Sequence, residues 1–388
     1  MINLWKKIFV VLVFVFLFYL FLGDNNVSIE KEIEKRGVFV SYIELSHYLK
    51  GKDKEQGVEE INKIVNNLKK MNFIMIILQV RTFSDAIYPS NIYPWSETIS
   101  GQEGVSPGYD ILQTFIDVSH KNGIELHAWI NPYRVRGDED TTDLAVTNPA
   151  FSYLNSDAVY VSDGVFYNPA KEEVKQLIVD GVEEIVQKYS VDGILFDDYF
   201  YPNLEIDLND YNDYKKEHPD VSISEYRLFQ VSDLVQRVYQ VCHQHKVLFG
   251  VSPDGNIDNN YQKHFADVKK WGRKTGYVDY LMPQIYYGFY NEARAFYDTL
   301  QEWGAVATKV SLMPALAFYK VGTVDNYAKS GKEEWLENDD IIMREVLLSR
   351  NLNNYTGFSL FRYDYLFNST LQSQTTMQEV KNMKKILK

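Results

Sequence analysis

The feature that most constrains this 388-residue chain is a regular alternation of short, β-rich apolar runs with longer amphipathic segments. Eight runs have the composition of buried strands: Val38–Ile43, Phe73–Val80, Ile124–Ile130, Gly193–Phe196, Val247–Val251, Tyr280–Ile285, Lys309–Met313 and Gly357–Phe361. Helical periodicity marks Glu59–Met71, Lys171–Tyr189, Glu225–His245, Asp339–Arg350 and Met377–Leu387. Strands that alternate with helices form parallel sheets, and eight of them close as a (β/α)8 barrel. We therefore predict an α/β fold of the TIM barrel type.

An open, doubly wound sheet is the alternative for the same alternation, but no glycine-rich fingerprint follows the first predicted strand. Two loops are long for a compact barrel. Thr82–Gly108 follows the second strand, and Asn131–Ala170 follows the third. Long loops at these positions usually carry function. The barrel is predicted to extend over 37–388, after a charged linker at 27–36.

The N-terminal segment, 1–26, has the pattern of a membrane anchor or a signal segment. Lys6 and Lys7 precede an unbroken apolar run, Ile8–Leu22, which is short for a spanning helix and long for a signal core. No small-residue cleavage site follows it. The pattern therefore favours an uncleaved anchor, with the lysines inside and the remaining chain outside the membrane. A cleaved signal peptide followed by secretion is the alternative.

Charge and cysteine content exclude several kinds of partner and cofactor. The net charge of −13 argues against a nucleic-acid partner. Cys242 is the only cysteine, so no disulfide and no cysteine-based metal site can form. No metal or other cofactor is expected. Aromatic residues reach 15% of the chain, which suits stacking on sugar faces as well as a large core.

Polar side chains collect at the carboxyl ends of the predicted strands, where the reacting groups of barrel enzymes lie. They are Glu44, Gln79, Arg81, His127, Trp129, Asn131, Asp197, Asp198, Ser252, Asp254, Gln284, Tyr286 and Arg362. The opposite strand ends are mostly plain turns, and this asymmetry indicates a site. Structural roles stay open for single members: ion pairing for Arg81, and core packing for His127 and Trp129.

The segment DGILFDDYFYP, Asp192–Pro202, contains the strongest catalytic candidate. Alternation along the strand points Asp197 into the barrel mouth and turns Asp198 toward the rim or the neighbouring strand. Glycoside hydrolysis needs two carboxyl groups around an oxocarbenium-like centre. Asp197 is the predicted nucleophile, or a base toward water, and Asp198 or Glu44 is the predicted partner acid. In the structural alternative, the two aspartates only brace Arg81 or a helix N-terminus.

The remaining candidates are assigned to substrate binding. Polar groups at the mouth would bind sugar hydroxyls or orient the carboxylates, and aromatic rings would stack on sugar faces. The polar candidates are Gln79, Arg81, His127, Asn131, Gln284 and Arg362, and the aromatic ones are Trp95, Trp129, Tyr133, Tyr199 and Tyr286. Asp85, in the long loop after the second strand, is a further binding candidate and ranks third as the partner acid.

Six motifs occur in order and at barrel spacing: Tyr88-Pro89-Ser90, Pro94-Trp95-Ser96, HAWINPYR (His127–Arg134), DGILFDDYFYP, GVSP (Gly250–Pro253) and DYLMPQIYYGF (Asp279–Phe289). Together they resemble the glycosyl hydrolase-like 10 family of bacterial envelope proteins, from Arg36 to about Phe367. The resemblance implies a (β/α)8 barrel and a glycosidase-type activity outside the cytoplasm. It also implies a glycan substrate, such as peptidoglycan strands stripped of their peptides. The chain departs from the family at Asp254, where an aromatic residue is usual, and at Tyr286-Tyr287, where Tyr-Trp is usual.

The sequence thus predicts a membrane-anchored or secreted glycoside hydrolase that acts on a cell-wall glycan. One alternative is a non-catalytic glycan-binding protein on the same barrel. Another is a hydrolase that resembles polysaccharide deacetylases, but that chemistry generally needs a metal cluster. The spacing of His120, His127, His243 and His245 does not suggest one.

Overall fold

The structure is a computed structural model that describes residues 33–388. The predicted anchor at 1–26 lies outside the described residues, as does most of the linker at 27–36. Within 33–388, no helix has both the length and the apolar character that a membrane crossing requires.

Nine strands form one parallel sheet. The strands in 33–388 are β1 (Lys35–Val40), β2 (Met75–Arg81), β3 (Glu125–Ile130), β4 (Arg134–Arg136), β5 (Val159–Val161), β6 (Val165–Tyr167), β7 (Gly193–Phe196), β8 (Leu248–Val251), β9 (Tyr280–Leu281), β10 (Ser311–Leu312), β11 (Ala315–Leu316) and β12 (Gly357–Leu360). The sheet order is β10-β9-β8-β7-β3-β2-β1-β12-β11. Only Met313 and Pro314 separate β10 from β11, so both edges of the sheet belong to one interrupted strand. The pairing is that of eight parallel strands that close on themselves, and the predicted parallel α/β fold is confirmed.

Helices follow most strands. They are α1 (Tyr42–Leu49), α2 (Lys54–Lys70), α3 (Glu97–Ser100), α4 (Ile111–Lys121), α5 (Pro149–Tyr153), α6 (Glu172–Lys188), α7 (Leu208–Glu217), α8 (Ile223–Gln244), α9 (Ile257–Gln262), α10 (Val268–Arg273), α11 (Phe296–Val306), α12 (Glu334–Glu337), α13 (Ile341–Ser349), α14 (Tyr363–Phe367) and α15 (Gln374–Ile386). The five predicted helices correspond to α2, α6, α8, α13 and α15, with ends displaced by a few residues.

Two apolar layers follow from the alternation of side chains along the strands. The barrel interior contains Phe39, Met75, Ile77, Trp129, Leu195, Tyr280, Met282, Met313 and Ala315. A larger layer packs between the outer face of the sheet and the helices, and it includes Ile194 and Phe196 of β7. Because Leu195 points inward, the next residue on the same face of the chain is Asp197. The predicted inward face of this strand is therefore confirmed.

The two long loops pack together on one side of the barrel. The loop after β3 contains a small antiparallel sheet in the order β4-β6-β5. Ser84, in the loop after β2, shares a hydrogen bond of 2.6 Å with the Tyr167 hydroxyl, and its carbonyl accepts from Asn148 Nδ2 at 2.9 Å. Tyr88 and Tyr93 of the same loop are buried, so these rings belong to the core.

The prediction that the first strand extends to Ile43 is wrong. β1 ends at Val40, and Ser41 caps α1 by accepting a hydrogen bond from the Ile43 amide at 3.3 Å. The Glu44 side chain reaches back to the Ser41 amide at 3.0 Å, which completes a capping box. Glu44 therefore lies in the first turn of a helix and not at a strand end.

Candidate active site

Asp197 follows β7 directly and is only 3% exposed. Its Oδ2 accepts hydrogen bonds from Trp129 Nε1 at 2.8 Å and from Asn131 Nδ2, and its Oδ1 accepts one from the Tyr199 amide at 3.3 Å. All three partners are N–H donors, which stabilise a carboxylate more than a neutral carboxylic acid. The surroundings of Asp197 are therefore arranged to hold a negative charge inside the barrel mouth.

A chain of hydrogen bonds fixes the Asn131 side chain. Gln79 Nε2 donates to Asn131 Oδ1 at 2.6 Å, and Gln79 Oε1 accepts from the Tyr42 amide at 2.9 Å. Both amide side chains are buried. Because each amide oxygen is occupied by a donor, the Nδ2 group of Asn131 is directed to Asp197. The start of α1, strand β2 and the end of β3 thus act together on one carboxylate.

Asp198 has a more open environment and is half-buried. Its Oδ1 accepts from Gln284 Nε2 at 3.0 Å, and the same nitrogen donates to the Ser252 carbonyl at 3.0 Å. No residue in 33–388 donates a hydrogen bond to the second oxygen, Oδ2, of Asp198. This oxygen is therefore available to a substrate or to a proton.

Burial raises the pKa values of both aspartates, and a neighbouring carboxylate adds to each shift: Asp198 for Asp197, and Asp254 for Asp198. Burial, reinforced by the nearby charge of Asp198, raises the pKa of Asp197, and because the two acids titrate together the raised pKa belongs to the pair and not to Asp197 alone. Burial also raises the pKa of Asp198, and the nearby His264 side chain opposes this effect. Two acids in this situation keep a proton at neutral pH that isolated aspartates would lose. The pair can therefore supply one negative charge and one acidic proton together.

Aromatic side chains surround the carboxyl pair. The Tyr286 ring lies 5.9 Å from Phe361 and 5.8 Å from Tyr319, and burial raises the pKa of its hydroxyl well above the usual value. Tyr199, which directly follows Asp198, is 49% exposed. Tyr286 thus forms part of the inner wall, and Tyr199 provides a ring at the solvent side.

A cleft of about 530 Å³ lies between α1 and the loop after β2. Its walls include Tyr42, Phe83, His47, Lys50 and Glu97. Phe83, on the wall of this cleft, lies 4.9 Å from the Arg134 guanidinium, which also contacts the ring of Tyr199 at 5.4 Å, so the cleft opens toward the residue that follows Asp198. A space of this volume suits a substrate that extends beyond the reacting group.

Asp85 lies in a separate small pocket of about 100 Å³, which it shares with Glu97, Glu103 and Arg136. Its Oδ1 accepts from the Phe83 amide at 3.2 Å, and burial raises its pKa to about 6. Trp95 is partly exposed in the same loop. The loop therefore adds an acidic pocket beside the cleft, and within 33–388 no cluster of His, Cys, Asp and Glu could hold a metal ion.

Arg81, His127 and Tyr133 lie away from the carboxyl pair. Arg81 is buried on the outer side of the sheet, 4.2 Å from the Tyr93 ring, and forms no ion pair with any residue in 33–388. His127 is inside the barrel but deeper, where its Nδ1 is 2.7 Å from the Tyr280 hydroxyl and burial lowers its pKa to about 4. Tyr133 is fully buried, so its ring has no face open to a sugar.

Glu44 and Arg362 form a buried ion pair at the edge of the mouth. Glu44 Oε1 also accepts from the Asp364 amide at 3.3 Å, and its Oε2 accepts from the Ser41 amide at 3.0 Å. Both oxygens of this carboxylate are therefore occupied by structural contacts. Of the predicted residues, the structure brings Asp197, Asp198, Gln79, Trp129, Asn131, Tyr199, Gln284 and Tyr286 together.

Sequence reasoning missed two residues near the pair, His264 and Arg134. His264 lies 3.8 Å from Asp254 Oδ2 and influences Asp198. Arg134 lies near Asp197 and lowers its pKa, against the larger effect of burial. Arg134 is the last residue of the HAWINPYR motif, so a signal for it was present, whereas no motif marked His264.

Comparisons with known proteins identify related chains. Residues 34–333 match the glycosyl hydrolase-like 10 family. The glycosyl hydrolase YngK of Bacillus subtilis is 33% identical over 334 residues, which cover 79% of this chain and 63% of YngK. The glycosyl hydrolase DigH of Escherichia coli O6:H1 is 33% identical over 334 residues, which cover 78% of this chain and 74% of DigH. The chain thus spans a little under two thirds of YngK.

Among solved structures, the glycoside hydrolase domain of PgaB from Bordetella bronchiseptica is similar in fold. The TM-score is 0.56 at 11% sequence identity, and the match covers 89% of this chain and 98% of that domain. At this identity the likeness concerns the fold alone.

Proposed function

Because this chain belongs to the glycosyl hydrolase-like 10 family, we propose that it is a glycoside hydrolase with Asp197 and Asp198 as its catalytic carboxyls. The observation that carries the proposal is the contrast between the two acids. Asp197 is buried with three N–H donors, whereas Asp198 beside it keeps one oxygen free of protein contacts. Glycosidic cleavage requires one carboxylate and one carboxylic acid.

The hydrogen bonds favour a division of roles between the two acids. Three donors stabilise the anionic form of Asp197, which would act on the oxocarbenium-like centre as a nucleophile, or as a base toward water. The shared proton would then reside on Asp198, whose free Oδ2 can donate it to the leaving oxygen. Gln284 would orient Asp198 through Oδ1, while Gln79 and Asn131 orient Asp197.

We propose a cell-wall glycan as the substrate, with peptidoglycan strands as the first to test. The cleft beside the pair has room for a chain of sugars, and Tyr199 and Trp95 offer partly exposed rings for stacking. A non-catalytic glycan-binding protein is the competing function. It would use the same cleft without turnover.

Isosteric variants test the catalytic assignment. Asp197→Asn keeps the shape but removes the charge, and turnover should fall about 1000-fold or more, since such a contribution is commonly worth more than about 4 kcal/mol of barrier. Asp198→Asn should lose activity toward substrates whose leaving group must be protonated before it departs. Glycan affinity and Tm should change little. Products from defined glycans are identified by mass spectrometry.

Glu379→Gln is a matched control, because Glu379 is also a buried carboxyl but lies in α15 and accepts from the Met343 amide at 2.9 Å. This variant should keep wild-type turnover. If Asp197→Asn stays fully active, or loses activity only in parallel with unfolding, the assignment fails. A selective loss of turnover in Glu44→Gln would identify Glu44 as the partner acid, and glycan binding without products would favour the binding protein.

We also propose that the enzyme acts outside the cytoplasm, held by a single-pass anchor at Ile8–Leu22 or secreted after cleavage. The basis is the apolar run after Lys6 and Lys7. The full-length protein should fractionate with membranes, and its mass should retain Met1 or Ile2. A mature chain in the medium that begins near Asp24 would contradict the anchor.

A further inference from the structure

Arg134 presents an unpaired positive charge beside the carboxyl pair. Its guanidinium carbon lies 4.9 Å from the centre of the Phe83 ring and 5.4 Å from that of the Tyr199 ring. Among residues 33–388 it forms no ion pair and donates no hydrogen bond. Arg136, two residues further along β4, instead lies 3.6 Å from Asp138. The aromatic contacts thus hold Arg134 in place and leave its five N–H donors free of acceptors from residues 33–388.

The position of Arg134 connects the catalytic pair to the cleft. Tyr199, on one side, directly follows Asp198 and donates its amide hydrogen to Asp197. Phe83, on the other side, lines the 530 Å³ cleft. The charge of Arg134 also acts on Asp197 and lowers its pKa. A substrate that occupies both the cleft and the carboxyl pair therefore passes this guanidinium.

The unpaired guanidinium is partly exposed beside an acidic site and is therefore available to an anion. The protein carries a net charge of −13, and the Asp197–Asp198 pair, which holds one negative charge, and Asp254 add to it near the mouth. An acidic glycan would be repelled by this surface unless a fixed cation received its charge. A guanidinium matches a carboxylate with two parallel N–H···O bonds, and contact with ring faces reduces the freedom it must lose on binding.

We propose that Arg134 is a specificity-determining residue that binds a carboxylate substituent on the glycan, next to the sugar at the carboxyl pair. The preferred substrate is then an acidic glycan and not a neutral one. This inference rests on the proposed glycoside hydrolase function and defines its substrate class. A purely structural Arg134, which only braces the loop after β3 through Phe83 and Tyr199, would not discriminate between the two kinds of glycan.

The test compares a glycan-strand oligosaccharide with free carboxylates and the same oligosaccharide with those groups converted to amides. Wild-type protein should favour the carboxylate form by about tenfold or more in kcat/KM, and the binding part of this preference should weaken with salt. Arg134→Gln should lose the preference. Arg134→Lys should retain part of it, because the charge remains while the planar fork is lost. Arg273→Gln removes the same charge from α10, where the side chain donates to the Ala305 carbonyl, and should change nothing.

The outcomes separate the inference from the function on which it rests. Equal cleavage of both oligosaccharides by wild-type protein overturns the inference and leaves the hydrolase intact. An equal loss on both substrates in Arg134→Gln, or a loss of Tm alone, shows that Arg134 is a brace. Arg134-dependent binding of the carboxylate form without cleavage keeps the inference and overturns the hydrolase. If neither form binds, both fail.

Discussion

Replacing Trp129 by phenylalanine isolates one hydrogen bond to the proposed catalytic carboxylate. Trp129 Nε1 donates to Asp197 Oδ2 at 2.8 Å, while the ring packs edge-on against Phe39 at 5.3 Å. Phenylalanine keeps an aromatic ring but lacks the donor. A hydrogen bond to a charged group contributes about 1.5–3 kcal/mol. Since one pKa unit corresponds to about 1.4 kcal/mol, the pKa of Asp197 should rise by about 1 to 2.

The sign follows from which form of Asp197 loses its partner. The missing donor destabilises the carboxylate and not the neutral acid, so ionisation requires a higher pH. If catalysis needs ionised Asp197, the acid limb of the kcat/KM profile should move up by about one to two pH units. Activity below that limb should fall about tenfold to 100-fold and recover at higher pH. The measurement is kcat/KM on one glycan across the pH range in which the protein stays folded.

Trp303→Phe supplies the matched control. Trp303 is fully buried, and its Nε1 donates to the Gly255 carbonyl at 2.8 Å. This variant should lose stability for the same reasons, namely a smaller ring and an orphaned acceptor, while its acid limb stays in place. An acid limb that stays fixed or moves down in Trp129→Phe would refute the reasoning. So would an equal displacement in both variants, which would show a general effect of instability.

Two further predictions concern Glu379 and Trp95. Burial raises the pKa of Glu379 from an ordinary 4.5 to about 8, so its stabilising contribution is complete below pH 4.5 and is lost as the pH rises through 8. Glu379→Gln should therefore raise the free energy of unfolding at pH 8 by a few kcal/mol, since each pKa unit corresponds to about 1.4 kcal/mol, and should leave it unchanged at pH 4.5. Urea titrations of both proteins at the two pH values measure this. An equal effect of the substitution at both pH values would contradict the prediction. Trp95→Ala should weaken glycan binding in calorimetry while Tm stays nearly constant, because Trp95 is partly exposed; a large fall in Tm would place its ring in the core.

The sequence predicted the direction of Asp197 because β7 is regular. Leu195 is confirmed in the barrel interior, and a period of two then carries the chain to Asp197 on the same face. Arg81 follows Gln79 by two residues but does not share its face of the sheet. The pairing of β2 with β3 shifts register between Gln79 and Arg81, and this irregularity turns Arg81 outward onto α6 while Gln79 stays inside. A pattern of apolar residues does not reveal a bulge.

The sequence also did not predict how deep in the barrel each inward-pointing side chain lies. His127 and Trp129 lie on the same face of β3, but His127 pairs in register with Gly193, the first residue of β7. It therefore lies in a lower layer, two residues further from the mouth than Trp129. Glu44 shows a different limit, because the Ser41–Glu44 spacing is itself a capping signal that competes with continuation of the strand. At this point the chain begins a capped helix and does not continue the strand.

The two neighbouring aspartates acquire different chemistry from the fold and not from the motif that contains them. As residues of one sequence dipeptide, they begin with the same intrinsic pKa. Alternation at the end of β7 directs Asp197 into the barrel, where Trp129 of the neighbouring strand β3 and Asn131, just after that strand, donate to its Oδ2. Asp198 meets Gln284 instead and keeps an oxygen free. Environments that separate a charge-holding acid from a proton-holding one are what an acid–base pair requires. The division depends on donors more than 60 residues away in the chain from each aspartate, so it exists only once the barrel has formed.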